Sequence, residues 1–200
     1  MILNIVNDSL NDTKIVSTDP STNFRSDDLR LVGDPLDLNR ICINFSVPTD
    51  LDRQSIVRAT VNLVIKTITG AGTSPSISSA LISQNTVDYR YVSWNNYNNG
   101  IAWTTPGGDI ESSTIKTTTV AHSSVETMVS IDATDSVLYA IANAKSTMNL
   151  LIYTATSNTN ITYYSRETAN KGPKLELLYR DATTADGIGR TGSIPSIPSI

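Results

Sequence analysis

Two hundred residues, 39% hydrophobic and only 17% charged, can bury one large core or two small ones, with Ser, Thr and Asn supplying the polarity that charges do not. A net charge of −4 leaves no basic stripe to neutralise phosphates, so neither nucleic acid nor an anionic membrane is an expected partner. One cysteine, Cys42, excludes an intramolecular disulfide, and together with the one histidine, His122, it leaves too few soft ligands for a closed zinc site.

The opening stretch MILNIVNDSLND has no basic n-region, no long apolar core and no small-residue cleavage site, so no secretory leader is expected. No run approaches membrane-spanning length. Ile2 to Val6 reads as a short strand, and Asn7, Asp8, Asn11 and Asp12 favour turns because their side chains bond nearby backbone amides. Ile15 and Val16 suggest a second short strand, Thr18 to Asp28 a loop, and Leu29 to Val32 a third strand that breaks at Gly33, Asp34 and Pro35.

From Arg40 to Val47 the alternation is clean, with Ile41, Ile43, Phe45 and Val47 on one face and Cys42, Asn44 and Ser46 on the other. Cys42 reads as buried packing. Ala59 to Lys66 repeats the pattern with Ala59, Val61, Leu63 and Ile65 inward, and a weaker run follows from Ile77 to Ser83. Asp88 to Asp109 then gathers both tryptophans and three of the eight tyrosines around an Asn/Gly-rich bend.

Thr114 to Ala121 is β-branched and polar, as an edge strand would be, and Val125, Thr127, Val129 and Ile131 alternate again. The period then changes. Val137, Leu138, Ile141 and Ala144 recur at helical intervals, which predicts one short helix over about residues 133–144 with Asp132 as its N-cap and Asp135 in its first turn. Leu150 to Thr154, Ile161 to Ser165 and Lys174 to Tyr179 complete the strands, the last led by Gly172 and Pro173.

Nine or ten short strands with one helix predict an all-β, two-sheet β-sandwich of jelly-roll type, forming one domain over residues 1–180. Residues 181–200 change to glycines, small polar residues and an IPS repeat, which predicts an extended, polyproline-like tail. Ile194, Ile197 and Ile200, with Pro195 and Pro198, are its anchors for docking on a neighbouring subunit.

Arg40 to Phe45 followed by Ala59 to Ile65, VSWNN at Val92 to Asn96, IDATDSV at Ile131 to Val137, and YSRE followed by GPKLELLY at Tyr164 to Tyr179 resemble the DNRLRE-type modules. These are disaggregatase-related, carbohydrate-binding-module-like domains, and the resemblance spans roughly residues 2–180 in order. It implies a jelly-roll module that is usually non-catalytic, is carried by extracellular or cell-surface proteins, and in several lineages binds polysaccharide. Such a module also looks at home in phage virion proteins.

Trp94 and Trp103 can each be core residues, with indole N–H bonded to backbone or to Asn95, or stacking platforms for a sugar ring. Trp94 reads as core, Trp103 stays open between the two, and Tyr97 in NNYNNG is the expected exposed aromatic. Tyr97, Trp103 and Tyr163 are therefore the candidate glycan-binding residues.

Ser165, Arg166 and Glu167 mimic a catalytic trio, but Arg cannot act as a general base, so an ion pair or backbone clamp is expected. A triad would have to use His122, and no nucleophile elbow accompanies it. The acidic pairs Asp27/Asp28, Asp109/Glu111 and Asp132/Asp135 suit capping and turns. No cofactor is expected, with a structural calcium ion as the alternative use of those carboxylates.

The sequence thus predicts a non-catalytic structural or adhesion protein on a virion or other extracellular surface. A bacteriophage particle is the expected setting, as capsid decoration, head fibre or tail component. The alternative is a carbohydrate-binding module for cell-surface polysaccharide.

Overall fold

The computed structural model describes residues 2–25, 28–48, 55–69, 74–120 and 125–180, with backbone alone for residues 2–4. The predicted tail, with Ile194, Pro195, Ile197, Pro198 and Ile200, lies outside the described residues, as do Asp27 and His122.

Among the described residues thirteen strands and one α-helix follow the chain: β1 (Ile2–Asp8), β2 (Asn11–Val16), β3 (Leu29–Asp34), β4 (Asp37–Ser46), β5 (Ile56–Thr69), β6 (Ser76–Leu81), β7 (Asn96–Asn98), β8 (Ile101–Ala102), β9 (Lys116–Thr119), β10 (Met128–Asp132), α1 (Thr134–Ala142), β11 (Thr147–Thr154), β12 (Asn160–Tyr163) and β13 (Lys174–Arg180). Eleven of the strands form one curled antiparallel sheet in the order β1-β13-β5-β12-β3-β4-β11-β6-β9, with β10 added on β5 and β2 on β4. β5 turns the corner. Its first half pairs with β13 and β10, and its second half with β12, so this one long strand belongs to both layers of an all-β sandwich.

Period-two burial decides what lies between the layers. Ile41, Ile43 and Phe45 of β4 meet Ala59, Val61, Leu63 and Ile65 of β5, Met148, Leu150 and Ile152 of β11, and Leu175 and Leu177 of β13. Each such side chain contributes about 2 kcal/mol when withdrawn from water. β9 pairs with β6 alone among the described strands and buries little, as an edge strand should.

Several boundaries differ from the sequence reading. Asn7, Asp8, Asn11 and Asp12, expected in turns, lie in β1 and β2, because they pair with β13 and β4, and Thr114 lies in a short 3-10 turn before β9. Val125 is exposed and the strand after it begins at Met128, because the chain first turns through Glu126 at φ +67°. The helix starts at Thr134 with Ala133 as N-cap, since Asp132 is still paired opposite Thr60 in the sheet. The Asp132 carboxylate nevertheless accepts the Thr134 N–H at 2.8 Å, so it serves the first turn from one residue further back. The helix ends at Ala142, and Ala144 reverses the chain at φ +50°.

Candidate functional site

The inner face of the sandwich accounts for one set of side chains; the outer face of β2, β4 and β11 accounts for another. Ile15, Cys42 and Leu151 point away from the inter-layer core and are covered by Tyr89, Val92, Trp94 and Trp103. The segment from Ser83 to Ile110 is therefore an arm folded over the sheet, with an apolar cluster of its own. Cys42 is fully buried there, as expected, and burial pushes its thiol up to about 12.

Polar contacts fix the arm at its base and along its length. The Asp109 carboxylate accepts from Gln84 Nε2 at 2.5 Å and from the backbone N–H groups of Thr104 and Thr105 at 2.8 and 2.7 Å. Burial raises its pKa, but these donors outweigh burial and hold it below the ordinary value. Arg40 of β4 reaches the arm with its guanidinium, which lies over the rings of Trp94 and Tyr153 and donates to Gly107 O at 2.8 Å. Asn23 Nδ2 donates to the carbonyls of Tyr89 and Val92, so the loop after β2 buttresses the same arm.

Within the arm β7 and β8 form a small hairpin that the sequence reading did not predict, closed by Asn99 and Gly100, the latter at φ +66°. An Asn-Gly pair is a hairpin-turn signal and was the available clue.

The arm assigns the aromatic residues differently from the sequence. Trp103 is 4% exposed, and its indole N–H donates to Ser93 O at 2.9 Å. Its ring meets Tyr97 with centroids 5.3 Å apart, which leaves Tyr97 half-buried. Tyr163 is 0% exposed and packs inside the sandwich. Neither Trp103 nor Tyr163 can stack on a sugar, because each ring is already covered on both faces by its own protein. Trp94 is buried, as its core reading requires.

What the fold does expose is a groove of about 440 Å³ where the arm leaves the sheet, lined by Asn11, Arg25, Asn44, Asp88, Arg90 and Asn98. Asn11 of β2 and Asn44 of β4 face each other in register, so two strands present their amides together. Asp88 and Arg90 form the opposite wall. The Asp88 carboxylate accepts from Arg90 Nε at 3.0 Å, from its NH2 group at 2.7 Å and from its backbone N–H at 3.0 Å. Those bonds, the side-chain ones foremost, lower the pKa of Asp88.

Beside them Tyr91 is 42% exposed, with the Arg90 guanidinium over its ring. Sequence reasoning missed these residues. The acid–base pair two positions apart in DYRY was legible, but the larger tryptophans drew the assignment.

The other candidates resolve to structural contacts. The backbone N–H of Arg166 donates to Asp12 Oδ2 at 2.8 Å and its side chain bonds Leu10 O, so the SRE segment clamps β2, as predicted. Asp28 pairs with Lys66 at 2.5 Å and Asp135 with Lys116 at 3.0 Å. Among the described residues no three His, Cys, Asp or Glu side chains gather as metal ligands, and no helix is long and apolar enough to cross a membrane. A family model described as carbohydrate-binding module family 96 matches residues 7–179, and no curated protein matches the chain.

Proposed function

Because the chain belongs to carbohydrate-binding module family 96, we propose that it binds polysaccharide, without cleaving it, in the groove between the Asn11/Asn44 pair and the Asp88–Arg90 wall. The observation that carries this reading is the chemistry of the groove. Carboxamides, a guanidinium and a carboxylate converge from two strands and one arm, and together they can donate to and accept from the vicinal hydroxyls of a sugar ring. Tyr91, next in the chain to Arg90 and outside the groove lining, is 42% exposed and offers an apolar face to a sugar unit bound alongside.

Rigidity supports the reading as well. Asp88 is held by Arg90, the arm is closed by Asp109, and Asn11 and Asn44 sit on paired strands, so little conformational freedom is lost on binding. A place on a phage particle is a compatible setting for such a module.

Affinity gel electrophoresis against a panel of soluble polysaccharides tests the proposal. The wild-type chain is retarded by at least one polymer, and Asn98→Ala and Arg90→Ala relieve that retardation while thermal melting stays cooperative. Equal retardation of wild type and both variants would remove the groove from the binding site.

A further inference from the structure

A second cleft, of about 410 Å³, opens at the other end of β4, lined by Arg30, Asp34, Asp37, Asn158, Thr159 and Asn160. β4 carries Asp37 at this end and Asn44 at the other, about 24 Å apart at a strand rise of about 3.4 Å per residue. The two clefts are therefore distinct surfaces of one rigid strand.

The second cleft is pre-organised. Arg30 Nε donates to Asn160 Oδ1 at 3.1 Å, and its NH1 group stands 3.8 Å from Asp37 Oδ2. Asp37 Oδ1 also accepts from Thr18 and Asn39, which fixes its carboxylate. Asp34 holds the hairpin tip through the Leu36 N–H at 2.9 Å, using one oxygen only. Unused capacity is left over: the second oxygen of Asp34, the Asn160 amide nitrogen and the Asn158 side chain have no partner among the described residues. Thr159, only 6% exposed, keeps a hydroxyl with no protein partner at the same place.

A free carboxylate oxygen can accept from two hydroxyls while the two amides donate to those same two oxygens, which is the pattern a vicinal diol satisfies. Two carboxylates against one guanidinium give this cleft a surplus of negative charge, whereas Arg25 and Arg90 against Asp88 give the first groove a surplus of positive charge. Anionic sugars are repelled here, and uncharged ones are not.

We propose that the Arg30/Asp34/Asn160 cleft is a second saccharide subsite, specific for an uncharged sugar residue, which makes the module bivalent. This rests on the polysaccharide-binding reading above, and the experiment separates the two. Retardation by uncharged polymers (a β-glucan, a mannan and a xylan) is measured for the wild-type chain, for Asn98→Ala in the first groove, and for Asp34→Asn and Asn160→Ala in the second cleft. Asn158→Gly is added because glycine keeps the φ of +60° at that exposed turn whatever Asn160→Ala does to the fold.

The expected result is residual binding in Asn98→Ala, and in each second-cleft variant binding about tenfold weaker than wild type, the loss of about one hydrogen bond. Abolition of all retardation by Asn98→Ala, with the second-cleft variants at wild-type strength, overturns the second subsite and leaves the first reading standing. A wild-type chain retarded by no polymer, charged or uncharged, overturns both.

Discussion

Arg40 lies over Trp94, its guanidinium carbon 5.0 Å from the centre of the indole ring, and by that contact the middle of the sandwich holds the arm that builds the groove. The strand carrying Arg40 also carries Asn44 into the groove and Asp37 into the second cleft. A change at Arg40 is thus felt at the candidate site without touching it.

Gly107 completes that contact. It sits at φ +90°, and a Cβ there would lie 2.8 Å from Trp94 Cζ2. Gly107→Ala is expected to cost about 1–3 kcal/mol, from left-handed backbone strain with the clash added. Urea unfolding measures it; a midpoint equal to wild type would mean the ring moves aside freely.

Trp103→Ala and Tyr91→Ala should separate packing from binding. The first removes a buried ring and a buried N–H bond and should cost about 3–5 kcal/mol, with polysaccharide binding lost as the arm loosens. The second removes a surface ring, should change stability by less than about 0.5 kcal/mol, and should weaken binding alone. Urea midpoints and gel retardation run side by side on both variants decide the matter, and a reversal of the two patterns would return the sugar platform to Trp103.

Asp12 makes stability depend on pH. Burial raises its carboxyl from an ordinary 3.8 to about 7, against the opposing pull of the Arg166 N–H. A folded pKa above the unfolded one means that the native state holds the proton more tightly. The resulting stabilisation is complete below pH about 4 and is lost as pH rises through about 7, by an amount on the order of a few kcal/mol. Asp12→Asn keeps an acceptor for Arg166 and should flatten the melting temperature between pH 4 and pH 8 while raising it at the alkaline end. An unchanged slope in that variant would assign the pH dependence elsewhere.

Cys42 should be silent in the native protein. It is fully buried beneath the arm and its thiol is pushed up to about 12, so almost no thiolate exists at neutral pH and no reagent reaches it. A disulfide reagent at pH 8 should label it only after denaturant is added. Rapid labelling without denaturant would show that the arm opens on its own.

How much of this was readable beforehand follows from where the information sits. Ile41, Ile43 and Phe45 were assigned inward from alternation alone and are inward, because a strand's two faces are set by local backbone geometry. The change to helical spacing near Val137 was legible for the same reason, although Asp132 stayed in the sheet and moved the first turn by a residue. The clamp role of Arg166 followed from what arginine cannot do chemically.

The groove was not legible, because Asn11, Asn44 and Asp88 are brought together only by the pairing of β2 with β4 and the folding of the arm across them. The sequence could rank Trp103 as the largest flat surface, but whether a ring is a platform or a core residue depends on what else covers it. Ser93, Tyr97 and the sheet beneath cover Trp103, Tyr91 stays 42% exposed with only the Arg90 guanidinium over its ring, and Tyr163 faces the inside of the sandwich. Period and turn chemistry by themselves determined the layers and most strand positions, since these are short-range properties of the chain. Long-range pairing decided which polar side chains converge and which aromatic faces stay free, since contacts between distant segments leave no local periodicity to read.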